Sequence, residues 1–526
     1  MRRFAQLLDQ LAFEPSREEK YRLLIDYFST QENPERSLAL DILDGRFKLK
    51  SIKPHMLRAL IAQHCDHELV ALSYDYVGDL AETVALLWPE TNVHGLGSLP
   101  DIVAKLDTPH PQQALELLPV LLDQADSIER WALLKLATGG LRVGVSSGML
   151  REALARWSGQ PRSLIDELWH SLKQPHDQFF TWLEGKGPQP PLPTSMMFIS
   201  PMLAHPLKPM EMNKSFSISS YAVEWKWDGI RVQYHRDQAS WQLYSRTGED
   251  ISQSFPELSQ LPSGQYVVDG ELLVTDDGNI ASFQDLQTRL NRKKPSAKLI
   301  ASKPAMIMAY DLLSLKEIRT TQDDFSQRRG QLTQLLRENP HPQWKLSQLV
   351  SAQSFEQLDQ LRAHPPHPTM EGLMLKHWSS VYTPGRPKGA WWKWKKDPFE
   401  VDAVMLYAQR GHGRRSSLYS DFTFGCWQDE DLIPIGKAYF GFTDAELRKL
   451  DKFVRTHTIN RFGPVREVSH EKDTGLVVTL AFEGVQKSSR HRSGIALRFP
   501  RIAQIRWDKK PYDAGHLSDI YALLDQ

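Results

Sequence analysis

The chain has 526 residues, equal numbers of acidic and basic side chains, and two cysteines. That length exceeds what one hydrophobic core sustains and points to about three domains. A disulfide scaffold and a four-cysteine zinc module are excluded. No apolar run approaches the roughly 20 residues that span a bilayer, so no membrane role is expected. With zero net charge, nucleic-acid affinity must reside in local patches. Cys65 and Cys426 lie far apart and suit a reducing cytosol, and Met1-Arg2-Arg3-Phe4 leads into an amphipathic pattern rather than a signal peptide, so a cytoplasmic protein is expected.

Residues 1–185 read as helical. Phe4, Leu7, Leu8 and Leu11 follow helical spacing. Ser16 with Glu19 reads as a capping box ahead of a Tyr21, Leu24, Ile25 stripe. Asn33-Pro34 reads as a cap with proline in the first turn, and residues 112–123 and 130–137 fit the same mould. Gly139 and Gly140 end one helix, and Gly144 with Ser146 precedes the next. A helix start with free N–H groups beside Lys135 and Arg142 can grip a phosphate; a plain helix–turn–helix corner is the alternative.

Residues 186–200 form a proline-rich linker, semi-rigid and extended. From about 220 to 400, short alternating strands mix with helices. After about 400 the pattern is mostly strands, at 401–408, 417–427, 432–442 and 476–482, with one helix at 443–456 capped by Thr443 and Glu446. Five or so strands with one helix suit a small closed barrel of the OB type.

The stretch Glu224-Trp225-Lys226-Trp227-Asp228-Gly229-Ile230-Arg231 is the most informative. Alternation puts Val223, Trp225 and Trp227 on one face of a strand and Glu224, Lys226 and Asp228 on the other. Asp228-Gly229 reads as a hairpin turn that returns Arg231 beside the lysine. Alone, the stretch reads as an exposed hairpin with solvated charges; a lysine between carboxylates in a pocket wall is a candidate nucleophile.

Further polar groups recur at strand spacing. Arg246 sits at the turn 245–249. Asp269 and Glu271 share one face of an apolar strand, which is costly unless a metal or cation meets them. Tyr310 is suited to stacking on a base. Glu371 and Lys376 fall on opposite faces under strict alternation, so either a bulge intervenes or only one faces the pocket. Lys393 and Lys395 share a face opposite Trp392 and Trp394, a cradle for a triphosphate. Each segment alone is also compatible with a salt-bridged strand edge. Together they supply a nucleophile, metal-binding carboxylates, cations for phosphate and an aromatic for a base, the inventory of covalent nucleotidyl transfer.

The order and wording of these segments resemble the covalent nucleotidyltransferase superfamily, and within it the ATP-dependent DNA ligases. The matching stretches are 224–231, 245–249, 269–271, 310–313, 371–376 and 392–396, followed by Arg506-Trp507-Asp508-Lys509. Residues 282–290, Gly436-Lys437 and Leu497-Arg498-Phe499-Pro500-Arg501 are also typical. The resemblance is close over 200–512 and weaker in the helical region, where 140–144 and 201–204 are similar to replicative-type enzymes. Departures are the tryptophans flanking the lysine, Tyr310 where phenylalanine is usual, and Arg386 one residue further from Lys393 than the commonest spacing. Lys388 competes with Arg386 for that position.

The resemblance implies an all-α DNA-binding domain at 1–185, an α+β nucleotidyltransferase domain with ATP-grasp-like antiparallel sheets at 201–398, and an OB-fold β-barrel at 399–526. It implies that Lys226 attacks the α-phosphate of ATP, that the adenylate passes to the 5′-phosphate of a nick, and that the 3′-hydroxyl then displaces AMP. Glu224 would accept from the adenine amino group and Tyr310 would stack on the ring. Arg231 and Arg246 would hold ribose and phosphate, Lys393, Lys395 and Arg386 the phosphates, and Glu271 and Glu371 Mg²⁺ or Mn²⁺. A free lysine has a pKa near 10.4 and is about 0.04 % neutral at pH 7; Arg231, Lys393, Lys395 and a metal would disfavour its charge. Arg506 and Lys509 would swing in on the barrel to orient pyrophosphate. Gly140, Arg142, Gly144, Arg498 and Arg501 would contact DNA, the last two within a basic run at 486–510 that carries Lys487, Arg490, Arg492, Lys509 and Lys510 as well. A nucleoid-associated monomer encircling nicked duplex DNA is expected. RNA ligase and GTP-dependent mRNA-capping guanylyltransferase share the lysine motif, and a DNA-clamping scaffold is the non-enzyme alternative.

Overall fold

The computed structural model describes residues 1–47, 49, 60–61, 63–64, 80–89, 94–107, 110–138, 141, 143–169, 172, 174–191, 198–207, 217–290, 292–410, 418–462, 465–489 and 491–524. Cys65, Gly140, Arg142 and Arg490 lie outside them. The chain falls into two compact units. Unit one comprises residues 1–159, 174–187 and 398–526, and unit two residues 160–173 and 188–397.

The helices up to residue 187 are α1 (Arg2–Phe13), α2 (Arg17–Thr30), α3 (Glu35–Asp44), α4 (Leu80–Leu87), α5 (Leu99–Leu106), α6 (Pro111–Gln124), α7 (Ser127–Thr138), α8 (Ser147–Ser158), α9 (Arg162–Trp169) and α10 (Asp177–Leu183). The expected apolar stripe of α1 is buried through Phe4, Leu7, Leu8 and Leu11. Only half of the expected capping box on α2 forms. The Ser16 hydroxyl accepts from Glu19 N–H at 3.3 Å, but the Ser16 N–H goes to Glu14 at 2.6 Å because the Glu19 carboxylate is drawn to Arg22. Asn33 is not the cap of α3. Pro34 is, and the Asn33 side-chain Oδ1 accepts from Ser37 Oγ at 2.6 Å and Arg36 Nε at 3.3 Å. The corner before α8 is tied by buried Lys20, whose Nζ donates to the carbonyls of Val143 (2.8 Å) and Gly144 (3.2 Å).

The C-terminal part of unit one is antiparallel. Its strands are β12 (Phe399–Arg410), β13 (Tyr419–Gln428), β14 (Asp431–Ala438), β15 (Thr458–Phe462), β16 (Val465–Val468), β17 (Val477–Phe482), β18 (Gly484–Lys487), β19 (Ile495–Arg498) and β20 (Arg501–Arg506). The long β12 organises them. It pairs with β13, β16 and β17, while β14 extends β13, β15 extends β16 and β20 extends β17. The helices here are α15 (Asp444–His457), with the expected Thr443–Glu446 box closed in both directions, and the short α16 (Leu517–Tyr521). Five or so strands and one helix were too few: β15, β16 and β18–β20 are short and mixed in polarity, so pairing rather than periodicity makes them strands. The strand expected to reach 442 stops at Ala438, and the Phe440 carbonyl accepts from Ile502 N–H instead.

Unit two holds two further sheets. The smaller has the order β1 (His205–Pro206), β11 (Trp391–Lys395), β10 (Met370–His377), β2 (Tyr221–Trp227). The larger runs β4 (Ser240–Ser245), β3 (Ile230–Asp237), β5 (Gln265–Asp276), β7 (Ala305–Leu315), β8 (Ile318–Arg319), with β6 (Asn279–Ile280) on β5 and β9 (Trp344–Leu346) on β7. Besides α9, the described helices here are α11 (Phe283–Leu290), α12 (Ala297–Ser302), α13 (Phe325–Glu338) and α14 (Phe355–Ala363). Trp225, Trp392 and Trp394 pack with Leu373 and Leu375 behind the smaller sheet, and Tyr234, Val268, Ile307 and Leu332 lie in the core of the larger.

Asp228-Gly229 does not close a hairpin. β2 pairs with β10, and β3 pairs with β4 and β5, so the turn passes the chain from one sheet to the other. The reason is non-local: Asp228 N–H donates to Thr369 O at 2.7 Å, and the turn packs so tightly on β5 that a Cβ on Gly229 would stand 2.6 Å from Leu272 O. The question left open by Glu371 and Lys376 is answered by a bulge, since the β10–β2 register shifts between Met370 and Leu373. The extra residue lets Glu371 and Lys376 face the same side. Gly372 makes it possible, at φ +141° with Trp394 O only 2.2 Å from where a Cβ would be. Gly372→Ala is therefore expected to destabilise by about 2 kcal/mol or more. Gly330→Ala on α13, with open space around the added methyl, is expected to stabilise by roughly 0.5–1 kcal/mol. Urea unfolding of both variants checks this; equal effects would remove the bulge argument.

Candidate active site

One wall of the candidate site is the inner face of the smaller sheet. Lys226 of β2 forms an ion pair with Glu371 of β10, and Glu371 also takes Lys395 of β11 at 3.1 Å. Lys393 lies on the same face as Met374 and Lys395, as alternation required. The opposite wall is the larger sheet. Arg231 and Glu271 are register partners, and Asp269 shares their face. Tyr310 is the extra residue of a second bulge, between Ala309 and Asp311, which pair with Gly270 and Asp269.

Asp269 and Glu224 are each paired with cations. Fully buried Asp269 takes Arg231 Nη2 at 2.6 Å and Nε at 3.1 Å, with the Tyr382 hydroxyl at 2.7 Å and the Tyr310 hydroxyl at 3.3 Å. The cation that meets Asp269 is thus an arginine rather than a metal. Arg231 also donates to Met202 O at 2.5 Å and Tyr382 Oη at 3.0 Å. Glu224 is 2 % exposed and lies beneath the pocket, held by Arg329 of α13 at 2.5 Å and Lys376 at 2.6 Å. Lys376 in turn sits 4.0 Å from the centroid of the Tyr310 ring.

The charge state of Lys226 reverses the sequence expectation. Burial opposes its charge, but Glu371 and Glu271 outweigh burial and raise its pKa above the ordinary lysine value. The cations expected to neutralise it are engaged elsewhere, Lys395 on Glu371 and Arg231 on Asp269. For Glu371, burial is outweighed by Lys226 and Lys395, and its pKa is lowered. Glu271 is different: burial pushes its pKa up to about 7 against the pull of Lys226 and Arg231. The Lys393 pKa is lowered by burial and then by the charges of Arg386, Lys226, Lys395 and Arg246. That field puts exposed Arg386 and Arg246 near Lys393.

The remaining candidate residues belong to unit one. Arg506 grips Asp508 at 2.7 Å and lies 3.6 Å from Asp402, which also binds Lys509. Arg501 donates to Glu483 at 2.9 Å, Arg498 lies beside the exposed Phe499 ring, and Gly144 ends the corner held by Lys20.

Known proteins match this arrangement. Residues 201–395 match the family model of the ATP dependent DNA ligase domain, and residues 415–509 that of the ATP dependent DNA ligase C terminal region. A probable DNA ligase of Koribacter versatilis is 31 % identical over 97 % of this chain and 94 % of its own length. The chain belongs to the ATP-dependent DNA ligases. DNA ligase 1 of Korarchaeum cryptofilum is 26 % identical over 100 % of this chain and 98 % of its own. A solved structure described as Pmar-Lig_PreS3 is similar in fold, with TM-score 0.62 and 16 % identity over 96 % of this chain and 99 % of that one. No described helix is long and apolar enough to cross a membrane.

Glu271 and Glu371, hard oxygen donors flanking Lys226, are the residues that would hold a divalent cation such as Mg²⁺, which keeps waters and takes substrate phosphate oxygens. No group of three His, Cys, Asp or Glu side chains that could hold a metal forms among the described residues. Sequence reasoning missed Tyr382, Arg329 and the part of Lys376 beneath Tyr310. No local pattern marks the first two, but Lys376 stood in a matching stretch and its buried position follows from the bulge.

Removing the charge of Asp269 isolates Arg231. Asp269→Asn is expected to destabilise by about 3 kcal/mol, as for one partner lost from a buried pair. Asp276→Asn, which breaks the exposed pair to Lys303, is expected to cost no more than about 0.5 kcal/mol. Thermal unfolding of the two variants side by side decides; equal costs would show that the Asp269 pair is not structural.

Proposed function

We propose that Lys226 is the nucleophile of this ATP-dependent DNA ligase. The observation that carries the reading is the placement of Lys226 between Glu371 and Glu271, with Lys393 and Lys395 on the same wall. In the first step the lysine Nζ, having lost its proton, bonds to the α-phosphorus of ATP, and the bond to pyrophosphate breaks with its electron pair leaving on pyrophosphate. In the second, a 5′-phosphate oxygen of the nick displaces Nζ from that phosphorus. In the third, the 3′-hydroxyl attacks the 5′-phosphorus and AMP leaves.

The surrounding residues divide the work. Glu224 reads the adenine amino group, and Tyr310, backed by Lys376, stacks on the ring. Arg231 and Arg246 orient ribose and phosphate, and Lys393, Lys395 and Arg386 hold the phosphates. Arg386 is preferred to Lys388 because its charge acts on Lys393. Bound at Glu271 and Glu371, Mg²⁺ or Mn²⁺ would neutralise charge on the transferred phosphate and compete with Lys226 for Glu371. The ion pair with Glu371 keeps Lys226 protonated, and therefore unreactive, before nucleotide binds. Arg506 and Lys509 are assigned to orienting pyrophosphate.

The domain reading is helical DNA-binding at 1–185, linker at 186–200, adenylation at 201–398 and OB-fold at 399–526; the pairing of strands around β12 supports the last. Arg498 and Arg501, with 140–144 on the resemblance alone, are assigned to DNA phosphates, and a cytoplasmic monomer acting on nicked duplex DNA is the simplest working unit. The relatives named DNA ligases do not favour an RNA ligase, a capping enzyme or a scaffold.

Incubation with α-labelled ATP and Mg²⁺ is expected to give a covalent protein–AMP adduct that Lys226→Ala abolishes; a normal adduct in that variant sinks the assignment. Closure of a nicked duplex is expected with ATP and not with GTP or NAD. Arg506→Ala and Lys509→Ala are expected to lower adduct formation by about 100-fold, the loss seen when a transition-state contact is removed. Sealing of a pre-adenylylated nick should be largely spared. Equal losses in both assays would contradict the pyrophosphate role.

A further inference from the structure

Both oxygens of Glu224 are held by buried cations, Oε1 by Arg329 Nη1 at 2.5 Å and Oε2 by Lys376 Nζ at 2.6 Å. The second nitrogen of Arg329 donates to Ser347 O at 2.5 Å. Ser347 N–H bonds to Ala309 O, and Val350 N–H to Val223 O, so Arg329 is anchored to backbone that bridges both walls of the pocket. Lys376 is caged by Tyr310, Trp391 and Phe325, with ring centroids 4.0, 4.8 and 5.0 Å from Nζ. Two cations on one carboxylate, nearly all out of water, is an arrangement that stability alone does not call for, because apolar residues of similar volume hold a core as well or better.

We infer that Arg329 is a positioning residue for nucleobase choice, acting through Glu224. The inference rests on the reading of Glu224 as the acceptor for the adenine amino group. An ionised carboxylate is acceptor-only and has about four lone-pair sites. Two are taken by the cations and the others are free to meet the base. An amino group donates to them; a keto oxygen at the same place is repelled. Arg329 fixes the direction of the carboxylate. It thus separates ATP from GTP without touching either. Lys376 contributes the same field but also supports the Tyr310 ring, so Arg329 is the cleaner probe.

The test compares wild type, Arg329→Met, Arg329→Lys and Glu224→Gln for covalent adduct formation with α-labelled ATP and GTP. Arg329→Met is expected to lower the ATP-over-GTP ratio of kcat/KM by roughly tenfold or more, the scale of a lost charge-assisted hydrogen bond. The effect should fall mainly on KM for ATP, with kcat at saturating ATP within about threefold. Arg329→Lys should recover part of the ratio because it keeps the charge. An unchanged ratio in Arg329→Met overturns the inference. So does a parallel loss with both nucleotides that Arg329→Lys does not relieve, because that outcome assigns Arg329 to structure alone. If Glu224→Gln also leaves the ratio unaltered, the base-reading role of Glu224 is what fails; if Glu224→Gln moves the ratio and Arg329→Met does not, only the role of Arg329 falls.

Discussion

Two adjacent arginines on α13 hold the nucleotide pocket together. Arg328 forms a fully buried bidentate pair with Asp311 of the larger sheet, at 2.8 and 3.0 Å, while Arg329 takes Glu224 of the smaller sheet. One rigid helix therefore sets the position of a charged group on each wall. An isolated buried charge is prohibitively costly, so each pair can break only by disturbing its wall. Lys226, the proposed nucleophile, and Glu371 stand on this base, with side chains 21 % and 25 % accessible. The pairs at Asp311, Asp269 and Glu224 are buried, whereas Lys226 and Glu371 are partly exposed.

That division explains which parts of the site the sequence exposed. Alternation alone identified the faces of Lys226, Lys393 and Lys395, because one apolar core lies behind both of their strands. It failed where backbone irregularity decides. The bulge at Gly372 rotates Glu371 onto the face of Lys376, and the bulge at Tyr310 leaves that residue without a register partner. Both depend on strands distant in sequence. The supposed hairpin at Asp228-Gly229 failed for the same reason: the turn chemistry was right, but pairing partners are chosen by the whole sheet, and β2 found β10 rather than β3. In the C-terminal region the long apolar strands were legible, while the short ones owe their form to partners that periodicity does not record.

The electrostatics were legible in composition but not in sign. Counting cations near Lys226 suggested a depressed pKa, yet proximity in sequence does not say which cation is already spent. Arg231 belongs to Asp269 and Lys395 to Glu371, so the lysine meets mainly carboxylates and is held charged. A ligase with a permanently neutral lysine would carry an exposed nucleophile whether or not nucleotide were present. A lysine locked to Glu371 is inert until something competes for that carboxylate. On the proposed reading, the two carboxylates that hold Lys226 charged would also be the oxygen donors for the cation, so binding of the charged substrate would release the lysine. On that reading, activation would follow from an exchange of ion-pair partners.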